Sequence, residues 1–293
     1  MLFALTLLSA APAPAPGIAG TRCALRDLAQ LWNELHNHGV HIHEAVDSVE
    51  AGQLDGVRIS APKGPRVEVE GGTNVPEWIE EVIAAALAAR SRSPDAKLVR
   101  ACQTGFNAGV SALALLCALP SEVAVHSFDL GAHHYVHFAA RLMDKWYPGR
   151  HTLTLGNSLV TLAAQVAALH NASSSSGGVG VGGPYQRTAA GAYCDYVFVD
   201  GGHSYEVAWG DIANFRELAA PGTTVVVENC NVWGKSGGFG GMIPVNQAYT
   251  AAIDRGLVKH YKQVSLGECD SERKGVTKDQ LEQCREMCVG KFT

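Results

Sequence analysis

The sequence is short of positive charge. Lys and Arg number 23 against 28 Asp and Glu, a formal net charge of −5, and no basic cluster forms along the chain. Without a broad cationic face for a phosphate backbone, no nucleic-acid partner is expected. Charged residues of both signs make up only 17% of the chain and apolar ones 47%. That balance excludes a disordered polymer and fits a globular chain of 293 residues that can bury a full core. A long apolar run is missing too. The leader MLFALTLLSAAPAPAPG is too short in its apolar part for a stable membrane span. No Lys or Arg precedes it. It reads as a secretory signal or as a disordered leader with an extended Ala-Pro stretch. Localisation stays open with it: secretory pathway or organelle in the first case, cytoplasm in the second. The sequon Asn171-Ala172-Ser173 has meaning only in the first case.

Eight cysteines are present. Cys102, Cys117, Cys194 and Cys230 fall in or beside expected core elements and read as small apolar residues. Cys269, Cys284 and Cys288 sit in a polar tail, with Cys23 near the start. They read as disulfide formers if the chain is secreted, with free thiols or a metal as alternatives. The tail spacing lacks the paired C-x-x-C of a typical zinc site.

Apolar periodicity orders the rest. Ala24 to Asn37 reads as an amphipathic helix. His36, His38, His41 and His43 read as a solvated loop. Val57 to Ser60 and Arg66 to Glu70 alternate and predict a hairpin. Pro76 to Arg90 predicts a helix, with Pro at its start and Arg at its end. From Leu98 onward strands and helices alternate. Strands are expected at Leu98 to Cys102, Glu122 to Phe128, Thr152 to Leu155, Asp195 to Val199, Thr223 to Val227 and Val258 to Leu266. Helices are expected from Ser111, and at Val136 to Tyr147, Leu159 to His170, Tyr205 to Ala219 and Val245 to Arg255. This pattern predicts an α/β, mostly parallel sheet with helices on both faces and a ligand crevice at the carboxyl ends of its strands. The Ser- and Gly-rich stretch 172–191 reads as a flexible insert, and Val232 to Gly241 as a loop over the crevice. The tail after Asp270 is expected to hold a helix around Lys278 to Met287. The organisation is thus a leader (1–20), an N-terminal extension (21–95), a core (96–268) and a Cys-containing tail (269–293).

The chemistry concentrates at the strand ends. LVRACQTGFNAGVS places Gly105 and Gly109 in a sharp turn that lets a ligand approach the main chain and the N–H groups of the next helix. SFDLG ends a strand on Asp129, GNS follows the next strand, and YVFVDGGHSYE ends another on Asp200. His133, His134 and His137 follow Asp129 and read as an exposed helix start. Asp211, in the helix after the last motif, reads as capping or pairing within that helix.

Together, QTGFNAGVSA, SFDLG, GNS and YVFVDGGHSYE resemble the class I S-adenosylmethionine-dependent methyltransferases, a Rossmann-like family with a seven-stranded sheet. The resemblance runs from about Leu98 to Leu266. It implies S-adenosylmethionine as cofactor, contacted by Gln103, Gly105, Phe106, Asn107, Gly109, Ser111, Asp129, Asn157, Ser158 and Asp200. Gly105, Asn107 and Gly109 would lie along the methionine part, Asp129 at the ribose, and Asn157 and Ser158 near the adenine. The family usually has an acid at the position of Gln103 and often Asp at that of Asn157. The amides here accept the same hydrogen bonds without the charge. Catechol-type O-methyltransferases carry an Asp after the fourth strand, Asp-Asn after the fifth, and a base three residues past the first Asp. The likeness implies Mg²⁺ on Asp200, Glu228 and Asn229, with Glu replacing Asp at 228, and His203 as the base beside Asp200. The implied acceptor is a small hydroxylated molecule; a homodimer stays open. Two rival readings remain: a degenerate fold that binds without turnover, and a nicotinamide-dependent oxidoreductase. The glycines of QTGFNAG are four apart, not the G-x-G-x-x-G of the latter.

Overall fold

Four two-residue strands, β1 (Val40–His41), β2 (Gln53–Leu54), β3 (Val57–Arg58) and β4 (Val67–Glu68), precede β5 (Arg100–Thr104), which is buried from its second residue to its last. The structure, a computed structural model, describes residues 27–35, 37, 40–41, 53–54, 57–58, 67–68, 76–91, 100–174, 192–231, 243–266 and 285–293. Around β5 run β6 (Ala124–Asp129), β7 (His151–Leu155), β8 (Cys194–Val199), β9 (Ala219–Glu228), β10 (Val258–Leu266) and β11 (Arg285–Phe292). They form one seven-stranded sheet in the order β10-β11-β9-β8-β5-β6-β7. Neighbours from β9 to β7 pair in parallel, and only β11 runs antiparallel, between β9 and β10. A parallel strand sandwiched by helices has no solvent face. That is why the middle of the sheet reads Cys-Asp-Tyr-Val-Phe-Val and Thr-Thr-Val-Val-Val rather than alternating apolar with polar.

The helices are α1 (residues 27–35), α2 (Pro76–Ser91), α3 (Val110–Ala118), α4 (His134–Trp146), α5 (Ser158–Ser174), α6 (Tyr205–Leu218) and α7 (Ile243–Asp254). Because side chains alternate across a strand, β5 feeds two cores. Ala101 belongs to the one that holds Leu28, Leu31, Trp32, Val82, Leu113, Leu116 and Met143, from α1 to α4. Cys102 belongs to the other, with Leu162, Ile212, Phe215, Ala248 and Tyr249 from α5 to α7.

Four expectations are corrected by the fold. The residues at 57–58 pair antiparallel with 53–54, and 67–68 pair in parallel with 40–41, so among the described residues the two stretches read as a hairpin do not pair with each other. Helix α5 runs to Ser174, past the expected start of the insert at 172; residues 175–191 lie outside the described ones. Arg285 to Met287 are strand, not helix: β11 inserts into the sheet with Met287, Cys288, Val289 and Phe292 buried. A short apolar stretch in a polar tail acquires strand geometry once β9 and β10 offer it two ladders. Finally, Cys102 and Cys194 form a disulfide, as do Cys230 and Cys288, and Cys117 is also disulfide-bonded. The pairing of β5 with β8, and of β9 with β11, brings together sulfurs that lie 92 and 58 residues apart in sequence. The loop Val232 to Gly241, His36, His38 and His43 lie outside the described residues. Among the described residues no helix is long and apolar enough to cross a membrane.

Candidate functional site

The glycine turn after β5 is built from left-handed backbone. Gly105, Asn107 and Gly109 have φ of +78°, +49° and +86°, which glycine adopts without strain and asparagine tolerates best among the others. Gly105 is also a point of contact. A Cβ there would lie 1.7 Å from the carbonyl oxygen of Asp200, so the turn after β5 and the turn after β8 touch through bare backbone. Asp129, at the end of β6, ties in the third turn. Its carboxylate accepts from the Asn107 N–H at 2.8 Å and from the Gly131 N–H at 2.7 Å. Three strand ends thereby converge beside the N-terminus of α3.

The other expected contacts divide. Gln103 is fully buried; its Nε2 donates to Ser127 Oγ at 3.1 Å, while its Oε1 has no partner among the described residues. The Phe106 ring is turned into the core and stacked on His151, with centroids 4.9 Å apart, so a contact there would run through its backbone. Ser111 is likewise buried in the first turn of α3. Asn157 is exposed and caps α5, its Oδ1 accepting from the Leu159 N–H at 3.0 Å. Asp211 is a correction. It is buried and neither caps nor pairs within α6. The hydroxyls of Thr104 and Ser158 face its carboxyl, and a Cβ on Gly201 would lie 2.7 Å from its Oδ2. Neither carboxylate oxygen completes a hydrogen bond of normal geometry. Burial of this charge pushes the pKa up to about 6, against the opposing pull of the two hydroxyls.

At the far side, Asp200, His203 and Glu228 each offer a ligand atom, all within 4.8 Å of one another. His203 Nε2 stands 4.0 Å from Asp200 Oδ1, and His203 is half exposed. Ser204, not Asp200, caps α6, accepting from the Val207 N–H at 3.3 Å. Asn229, buried beside Glu228, sits in left-handed backbone at φ +55°. The chain just beyond is latched to β11. The Cys230 N–H donates to the Glu286 carbonyl at 3.2 Å, Asn231 Nδ2 donates to the Glu286 carboxylate at 2.5 Å, and the Cys230–Cys288 disulfide closes the same joint. Buried Glu228 is thus carried on a fixed strand end.

Reading the sequence missed an apolar rim at the other end of the crevice. Leu130, just past β6, Leu155, the last residue of β7, and Val160, in the first turn of α5, are 68%, 41% and 66% exposed. Leu155 packs within 3.0 Å of a Cβ built on Gly131. A leucine directly after a strand-ending acid was the available signal, since a solvated turn has no use for it.

Residues 102–230, which span all three turns, match the model of a family described as "Methyltransferase domain". Over that stretch the chain is similar to a methyltransferase domain. Solved structures similar to it include the O-methyltransferase TomG from Streptomyces achromogenes in complex with SAM (17% identity, 73% of this chain and 79% of that chain, TM-score 0.46). Cofactor-bound Rv0187 from MTB matches at 15% identity over 98% of this chain and 92% of that one, TM-score 0.49. The O-methyltransferase from Bacillus cereus in complex with SAH matches at 14% over 73% and 90%, TM-score 0.42. No curated protein matches by sequence. The strand order and the glycine spacing speak against the nicotinamide reading.

Proposed function

We propose that the protein transfers a methyl group from S-adenosylmethionine to a hydroxyl of a small molecule. The observation that supports this most is the convergence of the β5, β6 and β8 turns on one crevice, through the Asp129 carboxylate and the Gly105–Asp200 contact. The residues fit the cofactor. The buried acceptor Gln103 Oε1 suits an ammonium donor. Asp129 keeps lone pairs for ribose hydroxyls beyond the two that bind backbone. The exposed Leu130, Leu155 and Val160 offer an adenine face an apolar seat.

Bound S-adenosylmethionine supplies a sulfonium methyl for in-line displacement. The chain must align the acceptor oxygen with it and remove the hydroxyl proton. His203 Nε2, 4.0 Å from Asp200 Oδ1, would take that proton. The Asp200, His203 and Glu228 donors also fit a divalent cation, with Asn229 adjacent as a neutral oxygen donor. Such an ion would lower the pKa of an acceptor hydroxyl. His203 cannot hold a metal and accept the proton with the same nitrogen, so the two roles separate experimentally. Incubation with S-adenosylmethionine and a panel of hydroxylated acceptors should form S-adenosylhomocysteine. Base function at His203 predicts that His203→Gln removes turnover and leaves cofactor affinity intact. Metal function predicts loss in EDTA and recovery with Mg²⁺. Absence of S-adenosylhomocysteine across the panel, with cofactor bound, would favour a binding protein instead.

The disulfides bear on compartment. Buried Cys102–Cys194 and Cys230–Cys288 bonds suit an oxidising environment, and so favour the reading of the leader as a secretory signal.

A further inference from the structure

A carboxamide has the same shape at both ends, so only its neighbours decide whether oxygen or nitrogen faces a ligand. At Gln103 the neighbours form a chain. Gln103 Nε2 lies 3.1 Å from Ser127 Oγ, and Ser127 Oγ lies 3.0 Å from His151 Nε2. All three residues are buried, so water does not settle the directions. Ser127 has one proton. If it accepts from Gln103, that proton goes to His151 Nε2, and the imidazole is the neutral tautomer protonated on Nδ1. If instead His151 donated from Nε2, the Ser127 proton would be released to the amide oxygen, and Gln103 could turn its NH₂ outward. We infer that Ser127 and His151 are positioning residues whose hydrogen-bond order holds Gln103 with its Oε1 toward the cofactor's amino-acid arm. This rests on the reading of the crevice as an S-adenosylmethionine site.

Three further observations support it. Gln103 sits one residue before the end of β5, at the ligand end of the sheet. Its Oε1 is buried without a partner among the described residues, a cost that an ammonium donor would remove. Burial holds the His151 imidazole neutral, its pKa pushed down to about 4, so one ring nitrogen is bare and the ring can accept from Ser127. His151 also stacks on Phe106, so one ring orders the relay and braces the glycine turn. The relay gives a neutral amide the polarity that an acid would have by charge alone.

The test is titration calorimetry of the full chain with two ligands: S-adenosylmethionine, and methylthioadenosine, which lacks the amino-acid arm. Ser127→Ala should weaken S-adenosylmethionine by about tenfold or more and leave methylthioadenosine unchanged. Gln103→Glu, which presents an acceptor at either end, should restore S-adenosylmethionine affinity in the Ser127→Ala background. Equal loss of both ligands, or a loss that Gln103→Glu does not repair, would overturn the relay and show a merely structural serine. Wild-type protein that binds neither ligand would overturn the cofactor reading itself. If Ser127→Ala does not fold, ¹⁵N shifts of His151 in the wild type decide: Nδ1–H with a bare Nε2 supports the relay, and Nε2–H contradicts it.

Discussion

Gly105 and Asp200 meet backbone to backbone. The space a Cβ would need at residue 105 is occupied by the Asp200 carbonyl, 1.7 Å from the built position. Gly105→Ala therefore faces a backbone clash as well as a left-handed φ of +78°, and neither can be relieved by rotating a side chain. The turn must separate from the β8 end. S-adenosylmethionine binding should be lost in calorimetry. Gly149→Ala, at a similar φ of +73° but with open space around it, should cost only about 1–2 kcal/mol of stability and leave binding intact.

Asp211 stores instability at neutral pH. Its folded pKa is raised from 3.8 to about 6 by burial. The native protein therefore gains stability from this group below 3.8 and loses it as pH rises through 6. Asp211→Asn keeps the shape and removes the charge. It should raise neutral-pH stability by up to about 3 kcal/mol, and the gain should fade as pH falls from 6 toward 3.8. Denaturant midpoints across that range check the slope.

Two buried histidines act in the opposite sense. His126 bridges Tyr193 and Thr154, and its pKa is lowered from 6.5 to about 3 by burial, with Arg100 and His151 adding to it; His151 falls to about 4 by burial. Below 6.5 the unfolded chain takes up two protons that the native state refuses. Between pH 6 and 4 native Asp211 takes up one that the unfolded chain refuses. The net excess is one proton in the unfolded state, so these groups should cost about 1.4 kcal/mol per pH unit as pH falls through this window. His126→Gln should flatten their contribution, read as the difference from wild type in urea titrations.

Peptide mapping without reductant should recover Cys102–Cys194 and Cys230–Cys288. By loop length each stabilises the fold by about 4–5 kcal/mol in the chain-entropy model. Reduction under partly denaturing conditions should lower the unfolding midpoint sharply. Loss of Cys230–Cys288 should also loosen the end of β9 and with it Glu228.

Much of this was legible in the sequence because parallel strands announce themselves as apolar runs that end in Gly, Asp or Asn. β5, β6 and β8 sit within two residues of where the pattern places them, and Gly105, Asp129 and Asp200 do come together. What was illegible depends on which strands become neighbours. Cys102 looks like any small core residue until β8 lies beside it. Met287 looks like the end of a tail helix until β9 and β10 leave a gap between them. Ser127 and His151 look like stray polar residues in AVHSFD and HTLTL. Only the register of β6 between β5 and β7 gives them partners. Asp211 looked local to its helix because sequence carries no sign of what lies across the turn at Gly201.

The most direct measurement is a calorimetric titration of S-adenosylmethionine into the intact chain, repeated with Asp129→Ala, which frees the Asn107 and Gly131 N–H groups and unties the glycine turn from β6. A single saturable site of micromolar strength in the wild type, much weakened in the variant, is the expected result. No heat of binding in the wild type, or equal affinity in both proteins, would contradict a nucleoside pocket at these three turns.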